Sequence, residues 1–324
     1  MSRALAPALL AGAFLAVPLS ATASDRRIVS AASVSLREAP GAAGRQVSRL
    51  ALGTLVEELS RTGGVETIGG ATAPWLRVST AEGVEGWVFG GLTLPYTDAD
   101  RDAIALAIAE DRLRRQGDPF GAFDELRSFL VRAAAAARAP EAKARLSLSA
   151  LRALERAAEA IPFRRLSDPA VLAWVEAHRE DLVYSEPGGR WLVVADRYWE
   201  LLERCASLPV AEEVAWTAAR ATLPGECEGE LPCSLGILAG TDGRYLERFP
   251  RGAHAEEALS NVAVFLDGVA EDPHRQYSGE RVPQADRPQV RAHLDRLKKA
   301  LAPIDDPRAR AAAAAIDTLL ARYR

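Results

Sequence analysis

The sequence predicts an α+β multidomain protein in which a small β-barrel is followed by a mostly α-helical, repeat-like domain with one β-hairpin. Three observations support this fold class. Between residues 28 and 94, short segments of alternating apolar and polar residues are separated by glycine-containing turns, which is the pattern of half-buried strands. After residue 97, apolar residues recur every three or four positions, as they do on amphipathic helices. Near residues 182–194, a Pro-Gly-Gly turn lies between two short apolar segments and predicts the hairpin.

The N-terminal residues have the features of a secretory signal peptide. Met1-Ser2-Arg3 is a short positive start, Ala4 to Leu19 is almost wholly apolar, and Ala21-Thr22-Ala23 offers small residues where a signal peptidase reads them. We therefore expect a signal peptide over residues 1–23, cleavage before Ser24, and a periplasmic or secreted protein. A buried helix or a membrane anchor is the alternative, but the apolar run is shorter than the roughly 20 residues of a transmembrane helix. No later run reaches that length, so we expect no membrane span in the mature chain.

Length and charge limit the function classes. At 324 residues the chain is long enough for about two domains, and we place the barrel at residues 25–97 and the helical domain at 98–324. The 40 lysines and arginines face 44 aspartates and glutamates, for a net charge of −4. No basic stripe with interleaved aromatic residues is present, so we expect no nucleic-acid partner.

The first strands of the barrel follow from a period of two. Val34 and Leu36 alternate with polar neighbours, and Ala39-Pro40-Gly41 ends this strand. Leu55 to Leu59 forms a later strand, and glycine pairs farther along mark turns around a weak strand. Several short strands at such close spacing suit a small closed barrel, which leaves no exposed sheet edge.

The last strands of the barrel contain its tryptophans. In Trp75-Leu76-Arg77-Val78 the two aliphatic residues face the core, which directs Trp75 and Arg77 to the opposite face. We therefore expect an exposed indole beside a guanidinium. Gly86-Trp87-Val88 forms the following strand, and we assign Trp87 to the core.

Residues 28–96 resemble a bacterial SH3 (SH3b) domain, so the barrel is expected to be SH3-like. The segments that carry the resemblance are Val34-Ser35-Leu36-Arg37-Glu38-Ala39-Pro40-Gly41, Val47 to Leu59, Trp75-Leu76-Arg77-Val78 and Gly86-Trp87-Val88. Barrels of this family bind peptides, and the aromatic residue aligned with Trp75 lies beside the peptide groove. The last of these strands leads into a turn that carries a further aromatic. Here the turn is Phe89-Gly90-Gly91-Leu92, with an aliphatic residue where many members have tyrosine.

Strand alternation and the resemblance together give Trp75, Arg77 and Phe89 as candidate ligand-binding residues. An exposed indole can stack on a peptide, while the guanidinium hydrogen-bonds its carbonyl or carboxylate groups. The alternative is that Trp75 is a packing tryptophan.

The region after Tyr96 is predicted to be helical. The predicted helices begin near Thr97, Asp118, Pro140 and Asp168, resume after the hairpin at Ala195 to Cys205 and Val210 to Leu223, and end the chain at Gln289 to Leu301 and from Asp306 onward. Their apolar faces are expected to pack on one another. No set of ligand residues supports a cofactor-lined bundle, so we expect no cofactor.

Cys227 and Cys233 lie in the only compact cluster of reactive residue types. Metal binding would use them with His254, but three cysteines and one distant histidine do not match a zinc spacing. A disulfide suits an exported protein better, and a glycine and a proline between the two cysteines favour a loop that folds back. A catalytic thiol is the least favoured, because no nucleophile motif surrounds any cysteine. We predict a Cys227–Cys233 disulfide, no metal site, and Cys205 as a buried thiol.

Residues 235–269 resemble one helical pair of the tetratricopeptide type. The matching residues are Tyr245-Leu246-Glu247-Arg248-Phe249-Pro250, Gly252, His254-Ala255 and Glu257-Ala258-Leu259. No clean recurrence at the tetratricopeptide period is present. The barrel, the hairpin and the cysteine segment together also resemble bacterial SH3 domain-containing proteins, and this resemblance implies no particular activity.

Export and the barrel together indicate the function class. We expect an exported, non-catalytic binding or scaffold protein of the bacterial cell envelope, whose partner is a peptidoglycan stem peptide or an envelope protein. The alternative is an accessory domain of peptidoglycan processing with cell-wall hydrolase activity, since such barrels often accompany these enzymes. The sequence contains no His-x-x-x-Asp or His-x-His signature for such an enzyme. A third possibility makes the barrel a stabilising spacer and places recognition on the helices.

Overall fold

The computed structural model describes residues 26–272, 276–277 and 281–324. The expected signal peptide at residues 1–23 and its cleavage before Ser24 lie outside the described residues. Within these described ranges, no helix is both long enough and apolar enough to cross a membrane. A β-rich N-terminal part precedes a mostly helical part with one small hairpin, which confirms the predicted α+β class and its order along the chain.

The N-terminal part is built from short antiparallel strands. They are β1 (Arg26–Val29), β2 (Val34–Arg37), β3 (Gln46–Leu50), β4 (Leu55–Arg61), β5 (Glu66–Ile68), β6 (Ala71–Ala73), β7 (Trp75–Thr80), β8 (Glu85–Phe89) and β9 (Thr93–Pro95). All but β5 and β6 form one seven-stranded sheet in the order β3-β2-β8-β7-β4-β1-β9. Within the described residues β3 and β9 are edge strands of this sheet, so the expected absence of sheet edges is wrong. The strands β5 and β6 pair only with each other, so they form a hairpin outside the main sheet.

One face of the seven-stranded sheet is packed with aliphatic side chains. Leu36 on β2 and Val78 on β7 are fully buried there, while Arg37 and Arg77 occupy the opposite face. Successive residues of a strand point to opposite faces, so this pattern is the one that the period of two predicts. The buried cluster consists of Val29, Ala31, Val34, Leu36, Leu50, Val56, Leu76, Val78 and Val88. Each large member contributes about 1.5–3 kcal/mol by burial.

The rest of the described chain is mostly helical. The helices are α1 (Arg101–Arg114), α2 (Phe120–Ala136), α3 (Pro140–Glu159), α4 (Pro169–Ala177), α5 (Asp196–Cys205), α6 (Ala211–Arg220), α7 (Leu231–Gly240), α8 (Asp242–Arg248), α9 (Ala255–Glu271), α10 (Arg287–Leu301) and α11 (Pro307–Arg322). The predicted hairpin is formed by β10 (Leu182–Ser185) and β11 (Arg190–Val193). Asp168 and Asp306 cap α4 and α11 by accepting backbone N–H bonds at 2.9 and 2.7 Å, so both Asp-Pro pairs start helices as expected.

The barrel and the first helices share a hydrophobic core. Ile28, Leu52 and Tyr96 from the β-rich part pack with apolar residues of α1, α2 and α3. Gly53, at a φ of +87°, brings its turn so close to α2 that a Cβ there would lie 2.4 Å from the Phe129 ring. The barrel is therefore docked on the helices through a continuous core. The predicted domain boundary between residues 25–97 and 98–324 stays a prediction.

The tetratricopeptide-like pair over residues 235–269 is not confirmed. The turn between α8 and α9 contains Pro250 and Gly252, and Leu246 and Leu259 are both buried in the main helical core, as that pattern predicts. The helix before the turn, however, is interrupted at Thr241. Two short helices, α7 and α8, therefore stand where the resemblance predicts one.

Cys227 and Cys233 are paired as a disulfide, with their Cα atoms 5.4 Å apart, a separation that such a bond requires. Cys227 lies in the loop before α7, and Cys233 lies in the first turn of that helix. Cys205 is a free, buried thiol at the end of α5. This arrangement agrees with the predicted assignment of all three cysteines.

Candidate functional site

The outer face of the sheet carries a tryptophan between two arginines. Trp87 on β8 lies directly opposite Arg37 on β2 and directly opposite Arg77 on β7. Residues that oppose each other in an antiparallel ladder point to the same face. The line continues to Gln46 on β3 and Ser60 on β4, which oppose the two arginines. We call these five residues the outer row.

Hydrogen bonds position the two arginines of the outer row. Arg37 donates from Nη1 to the Gly44 carbonyl at 2.6 Å, which ties it to the loop before β3. Arg77 donates from Nη2 to Glu85 Oε2 at 2.8 Å, and about half of each of these side chains is exposed (51% and 49%). An exposed ion pair of this kind contributes little to stability. Arg77 can therefore exchange Glu85 for the carboxylate of a ligand at little cost.

The exposure of the outer row differs along its length. Trp87 is half-buried, Arg37 is half-buried, and Arg77 is exposed. An indole face can stack on a planar or apolar group, and guanidinium groups donate paired hydrogen bonds to carboxylates and carbonyls. The arrangement is thus suited to an extended peptide that presents both kinds of group.

The predicted exposure of Trp75 is wrong. Trp75 and Phe89 share the outer face with Arg77 and Trp87, but they are only 4% and 3% exposed. They oppose each other in the β7–β8 ladder and pack edge to face, with ring centroids 5.8 Å apart. A ligand can reach either ring only if the residues packed around that ring move.

The chain between Thr62 and Trp75 leaves the sheet beside these two rings. The Thr62 N–H donates to the Trp75 carbonyl at 2.9 Å, and the Trp75 N–H donates to Thr62 Oγ1 at 3.1 Å, so residues 63–74 leave and rejoin the sheet at one point. These residues contain the β5–β6 hairpin. A Cβ placed on Gly91 would lie 2.6 Å from the Phe89 ring and 3.1 Å from the Ala71 Cβ, so β6 lies close to this end of the face.

The covered end of the face contains an unsatisfied donor. Trp75 Nε1 is buried and has no hydrogen-bond partner in the described structure. A buried N–H without a partner costs about 1–3 kcal/mol. The Trp75 indole is therefore buried by packing, but its N–H group lacks a hydrogen bond within the described residues.

The assignment of Trp87 to the core is also wrong. Val88 is completely buried in the sheet core, so its neighbour Trp87 must point to the outer face. The alternation that correctly separated Trp75 and Arg77 from the core residues would have placed Trp87 beside them. Arg77 is exposed as predicted, but its exposed aromatic neighbour is Trp87.

The described helical region contains no activated thiol among its cysteines. Burial raises the pKa of the Cys205 thiol, with a further contribution from the charge of Glu141, and Cys227 and Cys233 are bonded to each other. His254, the alternative metal ligand, stacks on Trp216 with ring centroids 4.3 Å apart. Over the described ranges, no group of three or more His, Cys, Asp or Glu residues is arranged to hold a metal ion.

Comparisons with known proteins identify the barrel. No curated protein and no solved structure matches the chain. The family model described as bacterial SH3 domain matches residues 32–93. The matched segment includes all three candidate residues and every member of the outer row. Residues 32–93 therefore form a bacterial SH3 domain, as the resemblance over residues 28–96 predicted.

Proposed function

We propose that this protein is an exported, non-catalytic binding protein of the bacterial cell envelope, and that its barrel recognises peptide through the outer row. A bacterial SH3 domain indicates a binding or cell-wall-associated role. The observation that carries the proposal is the position of Trp87, half-exposed between Arg37 and Arg77 on one sheet face. The ligand class is a peptidoglycan stem peptide or an extended segment of an envelope protein.

The chemistry of the outer row fits such a ligand. A stem peptide offers backbone carbonyls and free carboxylates within a short length of chain. Arg37 and Arg77 lie on either side of the indole, so one ligand can stack on Trp87 while a carboxylate approaches a guanidinium. Charge-assisted bonds of this kind are stronger than neutral ones, and aromatic and arginine residues dominate the binding energy of many interfaces.

Export is supported by the N-terminal pattern and by the cysteine pair. Disulfides persist in oxidising compartments and are rare in the bacterial cytoplasm. N-terminal sequencing of the native protein from a periplasmic or secreted fraction is expected to begin at Ser24. Recovery of intact Met1 in the cytoplasmic fraction would contradict export.

A non-catalytic role is supported by the state of the cysteines. A cysteine-dependent cell-wall hydrolase needs a thiolate as its nucleophile. The raised pKa of Cys205 disfavours its thiolate, and the other two cysteines are paired.

The binding proposal is tested with the full chain and purified peptidoglycan sacculi in a sedimentation assay. We expect W87A to weaken binding about thirtyfold, which corresponds to roughly 2 kcal/mol of binding free energy. R77A should weaken it less. The matched control is R61A, because Arg61 is a similarly exposed arginine (57%) that also pairs with a glutamate, Glu58, but opposes Leu76 in the β4–β7 ladder and is not in the outer row.

Two outcomes would count against this function. If W87A and R77A sediment with sacculi as wild type does, and also capture the same proteins from an envelope extract, the outer row carries no recognition. If R61A loses as much binding as R77A, general positive charge explains the attraction.

A further inference from the structure

We propose that a cleft between α2, α3 and α5 binds a small anionic amphiphile, with an apolar body and one carboxylate. The cleft has a volume of about 480 Å³, within the range of small-molecule sites in proteins. It lies on the helical part of the chain, so it is separate from the outer row of the barrel. Neither its shape nor its charge is used by the peptide-binding role proposed above.

The cleft follows from the way in which three helices meet. Both α2 and α5 pack on α3, and one face of each lines the space between them. On α3 this face carries Lys143, Ser147 and Leu151, at a spacing of four residues. Residues four apart lie above one another on a helix, so the cleft runs along α3.

The floor of the cleft is apolar. Val131 of α2 leaves 47% of its surface exposed. Leu151 of α3 and Leu201 of α5 complete the floor. Covering this surface with the apolar body of a ligand would remove it from water, which favours binding.

One end of the cleft is closed by ion pairs. Asp181 lies 2.9 Å from Arg197 of α5 and 3.8 Å from Arg127 of α2, so it bridges the two walls. Arg197 also pairs with Glu200 at 3.0 Å. The two acidic groups that line the cleft are therefore both engaged at this end.

The other end of the cleft is open and positively charged. Tyr198, near the start of α5, hydrogen-bonds Glu155 near the end of α3 at 3.3 Å, so α5 runs antiparallel to α3. This direction places Arg204 at the same end as Lys143. Both line the cleft and are exposed, and within the described structure neither has an ion-pair partner. A complementary ligand therefore carries a negative charge at this end.

A second cleft provides an internal comparison. It also has a volume of about 480 Å³ and is lined by residues of α1 and α3 with Glu213 of α6. Its arginines are neutralised: Arg114 pairs with Glu110, and both Arg145 and Arg152 pair with Glu213. Size alone therefore does not distinguish the two clefts, whereas the unpaired cations do.

The serines of α3 provide matched variants. Ser147 lines the first cleft and Ser149 lines the second, and both are half-buried. The full chain is titrated with octanoate, 1-octanol and octylammonium by isothermal titration calorimetry. Wild type is expected to bind octanoate about tenfold more tightly than octanol, and octylammonium not measurably. S147W should abolish octanoate binding, because the indole fills the cleft, and S149W should leave it unchanged.

Charge variants keep the test informative if S147W does not fold. In K143A/R204A we expect about tenfold weaker octanoate binding and unchanged octanol binding, because the removed groups contact only the carboxylate. Equal affinity for octanoate and octanol in wild type would overturn the proposal. An equal loss of octanoate binding in S147W and S149W would overturn it as well, since the ligand would not be in this cleft.

Discussion

The two ends of the barrel's outer face have the same kind of residue but opposite environments. At one end, Trp75 and Phe89 are almost fully buried beside the β5–β6 hairpin. At the other end, Trp87 is half-exposed between Arg37 and Arg77. All of these side chains point to one side of the sheet. The strand thus decides the side to which a residue points, and a neighbouring segment decides whether the residue reaches solvent.

On this one face, the buried aromatic residues therefore stabilise the fold, and the half-buried one is available for recognition. The covered rings contribute packing energy, because their apolar surface is removed from water. The half-buried Trp87 indole leaves part of its surface available for a ligand. Four experiments can break or sharpen the contrast, and they are taken from the largest expected effect to the smallest.

The largest effect is expected for W75A. Replacing a buried tryptophan by alanine removes its packing and leaves a cavity, which costs about 3–5 kcal/mol of unfolding free energy. Urea denaturation of the full chain, followed by circular dichroism, measures this loss. A loss below about 1 kcal/mol would mean that Trp75 is not buried in solution.

Because the Trp75 N–H has no hydrogen-bond partner in the described structure, we expect that replacing Trp75 by phenylalanine lowers the unfolding free energy unusually little. W75F removes a buried N–H that has no partner, so the relief offsets part of the lost packing. W174F is the control, because Trp174 Nε1 donates to Asp124 at 2.7 Å and its loss leaves that hydrogen bond unmade. We expect W174F to cost about 1 kcal/mol more than W75F. A lower denaturation midpoint for W75F than for W174F would contradict the conclusion that Trp75 Nε1 lacks a hydrogen-bond partner.

A smaller effect on stability is expected for W87A. Because its indole is half-exposed, truncation should reduce the unfolding free energy by less than about 1 kcal/mol, although peptidoglycan binding falls. The same denaturation experiment measures it beside W75A. If the two variants are equally destabilised, Trp87 is a packing residue and the contrast between the two ends fails.

The smallest effect is expected for the Arg77–Glu85 ion pair. A double-mutant cycle with R77A and E85A should give a coupling energy of about 0.5 kcal/mol or less, and the coupling should fall further in 1 M salt. The Arg27–Glu58 pair, with side chains 16% and 4% exposed, is the buried counterpart in the same barrel. Its coupling should be larger and less sensitive to salt. A coupling for Arg77–Glu85 that equals the buried pair's would show that Arg77 is not free to bind a ligand.

Much of the fold could be predicted because its signals are local. The period of two placed Leu36 and Val78 in the barrel core, and the Asp-Pro pairs at Asp168 and Asp306 placed the starts of two helices. The Pro-Gly-Gly turn placed the hairpin. Each of these features depends on backbone geometry within a few residues. The break of the helical run at Thr241 was missed, although Gly240 and Gly243 flank it in the sequence.

The candidate site was predicted only in part. Arg77 was correctly placed at the surface, but Trp75 and Phe89 are buried, and Trp87 was assigned to the wrong face. The error at Trp87 was avoidable, because its neighbour Val88 belongs to the core. The error at Trp75 was not, because its burial depends on tertiary packing at its end of the outer face, which alternation along its own strand does not report.

The sequence by itself determined the class of the fold, the bacterial SH3 domain, and the faces to which most barrel residues point. The fold class and the faces depend on side-chain periodicity and on turn residues, which act between neighbours in the chain, whereas the family was identified by resemblance. Only the tertiary structure decided which outer-face aromatic is covered, how Gly53 docks the barrel against Phe129, and where three helices leave a cationic cleft. Those outcomes depend on contacts between segments far apart in sequence, and such contacts leave no local pattern.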